Sequence, residues 1–339
     1  MKRIFTVILS LLLMLALAAC GNASRYQKVY IDYFDTAITI IGYEKNSSDF
    51  DSVCKKIESE LKKYHQMFDI YQEYDGIKNV CSINALAGKE AVKIDSELFE
   101  FLEYSKNIYT ATNGQTNIML GSVLKLWHEC REAADSSKIP DMATLAVAAE
   151  HCDINSLVLD KSQKTAYITD SLASLDVGAV AKGYAMQKIF DMLSKDGITG
   201  YALNFGGMVK TLGSRGDGSH WSIAIEDPLM FSNDMTTVDL NGKALSTSGT
   251  YQRYFEVDGV RYHHIIDPDS LIPENRFLAV SVVADDCATA DIFSTALFNM
   301  TLKEGEDFLK SQQENLSVMW VLPDGNKKYF GEFENYIIK

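Results

Sequence analysis

Residues 175–207 read LDVGAVAKGYAMQKIFDMLSKDGITGYALNFGG, and their order decides the fold class. A helix is expected over 179–193, a strand over Tyr201–Phe205 and a turn at Gly206-Gly207. Downstream the pattern is strand-rich: Trp221–Glu226, 237–241, 244–248, Tyr254–Val257, a turn at Asp258-Gly259, 261–266 and Ala279–Ala284. A helix over 288–299 follows, then a hairpin of 318–322 and 328–330 around Asp324-Gly325. Upstream, strands at 29–32 and 37–43 precede a helix over 50–64, where Val53, Ile57 and Leu61 recur at near-helical spacing. Helices over 96–112, 121–129 and 140–149, with a break at Asn113-Gly114, lead to short strands at 156–160 and 165–169. Strands and helices intermix without strict alternation, which favours an α+β fold of mixed or antiparallel sheets flanked by helices over a doubly wound parallel sheet. No internal repeat or low-complexity linker divides the chain, so residues 29–339 are expected to form a single compact unit.

The N-terminus points to export. Lys2 and Arg3 precede an apolar run over 4–19, broken only by Thr6 and Ser10, that ends in Leu17, Ala18 and Ala19 before Cys20 and Gly21. Such a run is short for a spanning helix and has the form of a secretion signal. Small residues before Cys-Gly match a bacterial lipobox, in which the cysteine is lipidated. The expectation is therefore a signal peptide over 1–19, a lipidated Cys20 with a polar tether to residue 28, and a domain on the outer face of a membrane. The remaining cysteines, Cys54, Cys81, Cys130, Cys152 and Cys287, are odd in number and lack metal-ligand spacing, so they read as isolated thiols.

A hydrophobic content of 47 % supports a sizeable core, while a formal charge of −14 argues against nucleic acid or an anionic surface as partner. A phosphate-bearing ligand would have to be met by local cations, which directs attention to carboxylates able to hold one.

Four stretches carry candidate chemistry. In LDVGAVAKGYA, Asp176 is expected at a strand end and Gly178 in a tight turn, with Lys182 near the free N–H groups of a helix start. That is the make-up of a phosphate cradle, and equally of solvated surface. In CATADIFSTALF (287–298), Asp291 and Thr295 share a face of an otherwise apolar helix. A carboxylate there needs a partner, either a capping or ion-pairing group or a hard cation with oxygen ligands. Within STSGTYQRYFEVDGVRYHHIIDPD (246–269), Ser248-Gly249 marks a turn, Arg253 and Arg261 are cationic, and adjacent His263 and His264 must face opposite ways on a strand. Asp267 is placed to orient His264. A fourth set, Phe34-Asp35-Thr36, Tyr71 and Gly114-Gln115-Thr116-Asn117, offers flat apolar faces and hydrogen-bonding groups suited to a ring system, or to core and turns.

Taken in order, FDTAITI, DIYQEYD, TNGQTNIMLGSVLKLWHE, LDVGAVAKGYA, LNFGGMVKTLG, WSIAIEDP, LSTSGTYQRYFEVDG, YHHIIDP and TADIFSTALF make the chain resemble the ApbE family of FAD:protein FMN transferases over nearly all of its length after Cys20. The resemblance implies that Asp176 and Lys182 contact FAD and that the Ala179 carbonyl, Asp291 and Thr295 hold magnesium. Phe34, Tyr71, Gln115, Thr116, Asn117 and Ile265 would line the flavin nucleotide. Two positions depart from the family pattern: Phe34 stands where many members have methionine, and Gln115–Asn117 replaces a commoner Ala-Phe-Asp. The implied reaction moves FMN from FAD onto a Thr or Ser hydroxyl of an exported acceptor protein with release of AMP, Asp291 and Lys182 serving at the diphosphate and His264 as candidate base. The alternatives are a magnesium-dependent FAD pyrophosphatase and a flavin-binding lipoprotein without catalysis.

Overall fold

A computed structural model describes residues 23–132, 138–230, 234–312 and 315–338. The signal peptide and Cys20 lie outside them. An eight-stranded, wholly antiparallel sheet organises the chain. It is built from β1 (Ser24–Tyr33), β2 (Thr36–Glu44), β6 (Tyr201–Phe205), β7 (Met208–Leu212), β10 (Ala244–Gly249), β13 (Ala279–Ala284), β14 (Ser317–Val321) and β15 (Lys327–Phe330), in that spatial order. The strands between are peripheral: β3 (Val92–Lys93), β4 (Leu157–Asp160) and β5 (Thr165–Ile168) form a small sheet, while β8 (Trp221–Glu226) with β9 (Asp234–Leu240), and β11 (Tyr254–Val257) with β12 (Val260–His263), are hairpins.

Three helices cover one face of the main sheet: α1 (Ser47–Phe68), α6 (Gly178–Lys195) and α7 (Cys287–Asn299). The others are α2 (Val80–Ala85), α3 (Ser96–Ala111), α4 (Gly121–Glu132), α5 (Met142–Ala149), α8 (Leu302–Ser311) and α9 (Phe333–Tyr336). The central strands are apolar on both sides because both sides are covered. Val280, Val282 and Ala284 of β13, with Val318 and Trp320 of β14, join the main core under the helices. Ala279 and Val283, with Met319 and Val321, meet Ile225 and Val238 of the β8–β9 hairpin on the reverse face. A third cluster joins α4 and α5 to the β11–β12 hairpin, where Trp127 stacks on Tyr262 at 5.8 Å between centroids.

The α+β expectation therefore holds, and the architecture is one unit around a shared sheet. Two readings change. Residues from Ser24 to Lys28, expected as tether, are the first half of β1 and pair with β2 from Ser24↔Glu44 onward. The 261–266 strand stops at His263, because the chain turns away to bring Ile265 and Ile266 into the interior. Among the described residues no helix is long and apolar enough to cross a membrane, and the five described cysteines are free thiols.

Candidate active site

Asp291 is the centre of the site. Asp286 caps α7 by accepting from Thr289 N–H, and every residue of the helix is buried except Thr289 and Thr295. Asp291, Ser294 and Asn299 are its buried polar residues, and the helix packs closely on the N-terminal turns of α6. Gly183 of α6 makes that approach possible: a Cβ there would lie 2.7 Å from Asp291 Cβ and 2.9 Å from Ala288 Cα. At this distance Gly183 N–H donates to Asp291 Oδ2 at 3.0 Å. Lys182 Nζ stands 3.6 Å from the same oxygen and donates to the Gly178 carbonyl at 3.3 Å. The opposite oxygen, Oδ1, accepts from Ser246 of β10 at 3.2 Å. The buried carboxylate is thus fixed by two neutral donors and faces a single ammonium.

Further hydroxyls extend from this carboxylate to Thr295. Ser248 Oγ lies 2.9 Å from Ser294 Oγ and 3.3 Å from Thr295 Oγ1, and Ser294 donates to the Asp291 carbonyl at 2.9 Å. Ser246, Ser248 and Ser294 were not among the sequence-derived site residues. Their only signal was the two-residue spacing of Ser246 and Ser248, which places both on one strand face; Ser248-Gly249, expected as a turn, is the end of β10 instead.

The second half of the site is a rim built around Arg253. The β1–β2 hairpin turns through Phe34 and Asp35, both with positive φ (56° and 49°), a conformation disfavoured for a bulky residue. Two contacts hold this turn: His65 Nδ1 accepts from Phe34 N–H at 3.3 Å, and Arg253 Nη2 donates to the Asp35 carbonyl. The Arg253 carbonyl in turn accepts from His264 N–H at 3.0 Å and faces His264 Nδ1 at 3.3 Å. A proton on Nδ1 satisfies that carbonyl and leaves the Nε2 lone pair open. Close packing around the ring, then the charges of Lys182, His263 and Arg253, lower the His264 pKa to about 3. Asp267 does not orient His264 as expected, because its carboxylate accepts from Asp269 N–H and pairs with Arg276 Nη1 at 2.6 Å. His263 faces the other way, buried against Phe298 and bonded to the Glu274 carbonyl at 3.0 Å.

Tyr71 lies on the same rim. Most of its surface is exposed, but its hydroxyl meets His128 Nδ1 of α4 at 3.1 Å and feels the charges of Asp176 and Asp35. Asp176 sits in a segment without regular secondary structure ahead of α6 rather than at a strand end, and its Oδ1 accepts from Gly178 N–H at 3.0 Å. Burial lowers the His128 pKa, opposed by the Asp176 carboxylate. The helix start is therefore not an open cradle, since Asp176 already takes one of its donors. Ala179 lies in the first turn of α6, and the Gly183 N–H that α-helical spacing would direct to its carbonyl also donates to Asp291.

Not every candidate faces the cleft. Thr116 is buried with its N–H donated to Thr112 Oγ1, and Asn117 Nδ2 donates to the Cys152 carbonyl while its Oδ1 accepts from Met119 N–H. The Asn117 side chain is spent on shaping the loop before α4, whereas the buried Thr116 Oγ1 has no hydrogen-bond partner among the described residues. Gln115 Nε2 donates to Asp269 Oδ2 at 2.9 Å, and Ile265 is buried beside His263.

This arrangement can be compared with known proteins. The family model described as the ApbE family matches residues 34–320. The chain belongs to the ApbE family. Among curated relatives, it is 28 % identical over 273 residues to a FAD:protein FMN transferase of Klebsiella pneumoniae, covering 80 % of this chain and 82 % of that one. A protein of the same name from Haemophilus influenzae is 24 % identical across 96 % of this chain and 95 % of its own. The fold matches that of an ApbE protein from Thermotoga maritima, with a TM-score of 0.82 at 24 % identity over 93 % of this chain and all of the other. A flavin transferase ApbE from Vibrio cholerae gives 0.79 at 23 % over 93 % and 99 %.

Three histidines of this ApbE-family chain, His128, His263 and His264, have pKa values lowered mainly by burial. In the unfolded chain they take up protons below about pH 6.5, which the folded state resists. Stability is then complete above that pH and falls as the pH drops toward 5. A melting temperature that stays flat between pH 7 and 5 would contradict this.

Proposed function

We propose that the chain is a FAD:protein FMN transferase that moves FMN onto a Thr or Ser hydroxyl of an acceptor protein, aided by magnesium. The observation that carries the reading is the buried Asp291 with Thr295 one turn on, facing Lys182, in a chain of this family. The donors suit a hard cation, being one carboxylate, the Thr295 hydroxyl and the Ala179 carbonyl, all oxygen. Among the described residues no group of three or more His, Cys, Asp or Glu side chains is arranged for a metal. Magnesium suits such a sparse set, because it is commonly held by one or two carboxylates with substrate phosphates completing its shell. When bound, it supplies positive charge to the diphosphate as that group gains charge in the transition state.

The remaining work falls to side chains. Lys182 is placed to bind diphosphate oxygens and so leave its contact with Asp291. His264 Nε2 accepts the proton of the acceptor hydroxyl, whose oxygen bonds to the phosphorus nearer riboflavin while the bond from that phosphorus to the AMP oxygen breaks. An anionic diphosphate beside Lys182 and Arg253 offsets two of the charges that hold His264 down, so substrate binding itself makes the base stronger. Tyr71 and Phe34, at the rim, are positioned for the flavin ring, and Asp176 for a hydroxyl or ring N–H of the nucleotide.

We further propose export and lipidation at Cys20, which would hold the enzyme on the extracytoplasmic face of the cell membrane beside exported redox acceptors. The direct test incubates the protein with FAD, magnesium and an acceptor domain, followed by in-gel flavin fluorescence. A fluorescent acceptor band that disappears with EDTA is expected. Free FMN and AMP without a labelled band would replace transfer by pyrophosphate hydrolysis, and tight FAD binding without AMP release would leave a flavin-binding lipoprotein.

A further inference from the structure

The two residues assigned to the cation, Asp291 and Thr295, are joined by more than their helix. Thr295 Oγ1 lies 3.3 Å from Ser248 Oγ, which lies 2.9 Å from Ser294 Oγ; Ser294 also stands 3.4 Å from Ser246 Oγ, the donor to Asp291 Oδ1 at 3.2 Å. Ser246, Ser248 and Ser294 are all buried, so solvent does not compete for these bonds. Each hydroxyl has one proton to give, and a carbonyl can only accept, so the bond to the Asp291 carbonyl fixes who gives to whom. Ser294 donates to the Asp291 carbonyl at 2.9 Å, so in its 2.9 Å contact with Ser248 it is the acceptor. Ser248 has then used its proton and can only accept from Thr295. The Thr295 proton is drawn inward, toward Ser248 or the Asp291 carbonyl, both at 3.3 Å, which keeps it off the remaining lone pairs of the oxygen. A hydroxyl oxygen can ligate a cation only with its proton directed elsewhere.

We propose that Ser248 is a positioning residue that, with its own proton committed to Ser294, joins the Asp291 carbonyl in holding the Thr295 proton inward and so keeps the Thr295 oxygen able to bind the divalent cation. The proposal rests on the metal-site reading above. It predicts that Ser248→Ala weakens cation binding by about 10- to 100-fold, the usual effect of losing a group that orients a ligand. Ser294→Ala acts in the same direction, since Ser248 is then free to donate into the Thr295 lone pairs. Thr247→Ala is the control: Thr247 points to the opposite face of β10, where it bonds Ser281 at 2.9 Å.

The test is Mn2+ titration followed by electron paramagnetic resonance, with FAD present and no acceptor, on the full chain and on each variant after its fold is checked by circular dichroism. Expected are tight binding by the parent and Thr247→Ala, weakened binding by Ser248→Ala and Ser294→Ala, and loss in Asp291→Asn. If Asp291→Asn loses the ion but folded Ser248→Ala and Ser294→Ala hold it as the parent does, the hydroxyl chain has no such role and the metal site stands. If Asp291→Asn binds as the parent does, the metal-site reading itself fails and this proposal with it. Should Ser248→Ala not fold, Ser294→Ala decides alone.

Discussion

Asp291→Ala is expected to lower FMN transfer by about 10³-fold, the scale on which a preorganised charge-stabilising group acts. Among the described residues no other carboxylate is bonded at this point: Asp291 receives Gly183 N–H and the Ser246 hydroxyl and stands against Lys182. Removing it also takes the acceptor from the buried Ser246 hydroxyl, at about 1–3 kcal/mol of stability, while Gly183 N–H keeps its helical partner. Asp291→Asn separates the effects, because it keeps the size and one acceptor oxygen while discarding the charge. Both variants should fail in initial-rate transfer assays read by in-gel fluorescence, and only the alanine variant should melt clearly lower. Undiminished transfer by a folded Asp291→Ala would remove the metal assignment.

The second large effect is expected at Gly183. An alanine there places a methyl group 2.7 Å from Asp291 Cβ, 2.9 Å from Ala288 Cα and 2.9 Å from the Cys287 carbonyl. Two of these neighbours are backbone atoms of a buried helix, so relief requires α6 and α7 to separate. Overpacking of this kind costs about 3 kcal/mol, or about 5 °C in Tm for a chain of this size. Separation also lengthens the Gly183 N–H to Asp291 bond, so transfer should fall by at least about tenfold. A Gly183→Ala protein that melts and transfers as the parent does would show that the interhelical gap is more forgiving than the distances indicate.

These residues differ in how far they could be read from the sequence. Asp291 was legible because a carboxylate in an otherwise apolar helix is an anomaly that demands a partner. Helix boundaries at 287–299 and 178–195, and strands Tyr201–Phe205 and Ala279–Ala284, were likewise close to expectation, since local periodicity suffices for them. Strand β7 was not anticipated. It follows the Gly206-Gly207 turn directly and carries Lys210, which reads as solvent-facing but is buried with its Nζ donated to Gln187 Oε1 and the Asp285 carbonyl. Helix α8 was missed although Thr301 and Glu304 form a capping box at its start, a signal present in the sequence. The serine chain is a different case. Ser246 and Asp291 are 45 residues apart, and their pairing follows from tertiary packing of β10 on α7 that no local pattern encodes. The Asp267–Arg276 pair shows the same limit, since the sequence offered His264 as the nearer partner.

The early start of β1 has a bearing on reach. If Cys20 carries the lipid, as proposed, only Gly21, Asn22 and Ala23 separate it from Ser24. That leash spans at most about 14 Å when fully stretched. Strand β1 then rises about 30 Å to the hairpin at Phe34 and Asp35, which forms one wall of the cleft. The hairpin would thus stand no higher than about 45 Å above the lipid headgroups, and an acceptor threonine carried on a much taller domain would have to bend down to reach the cleft beside it.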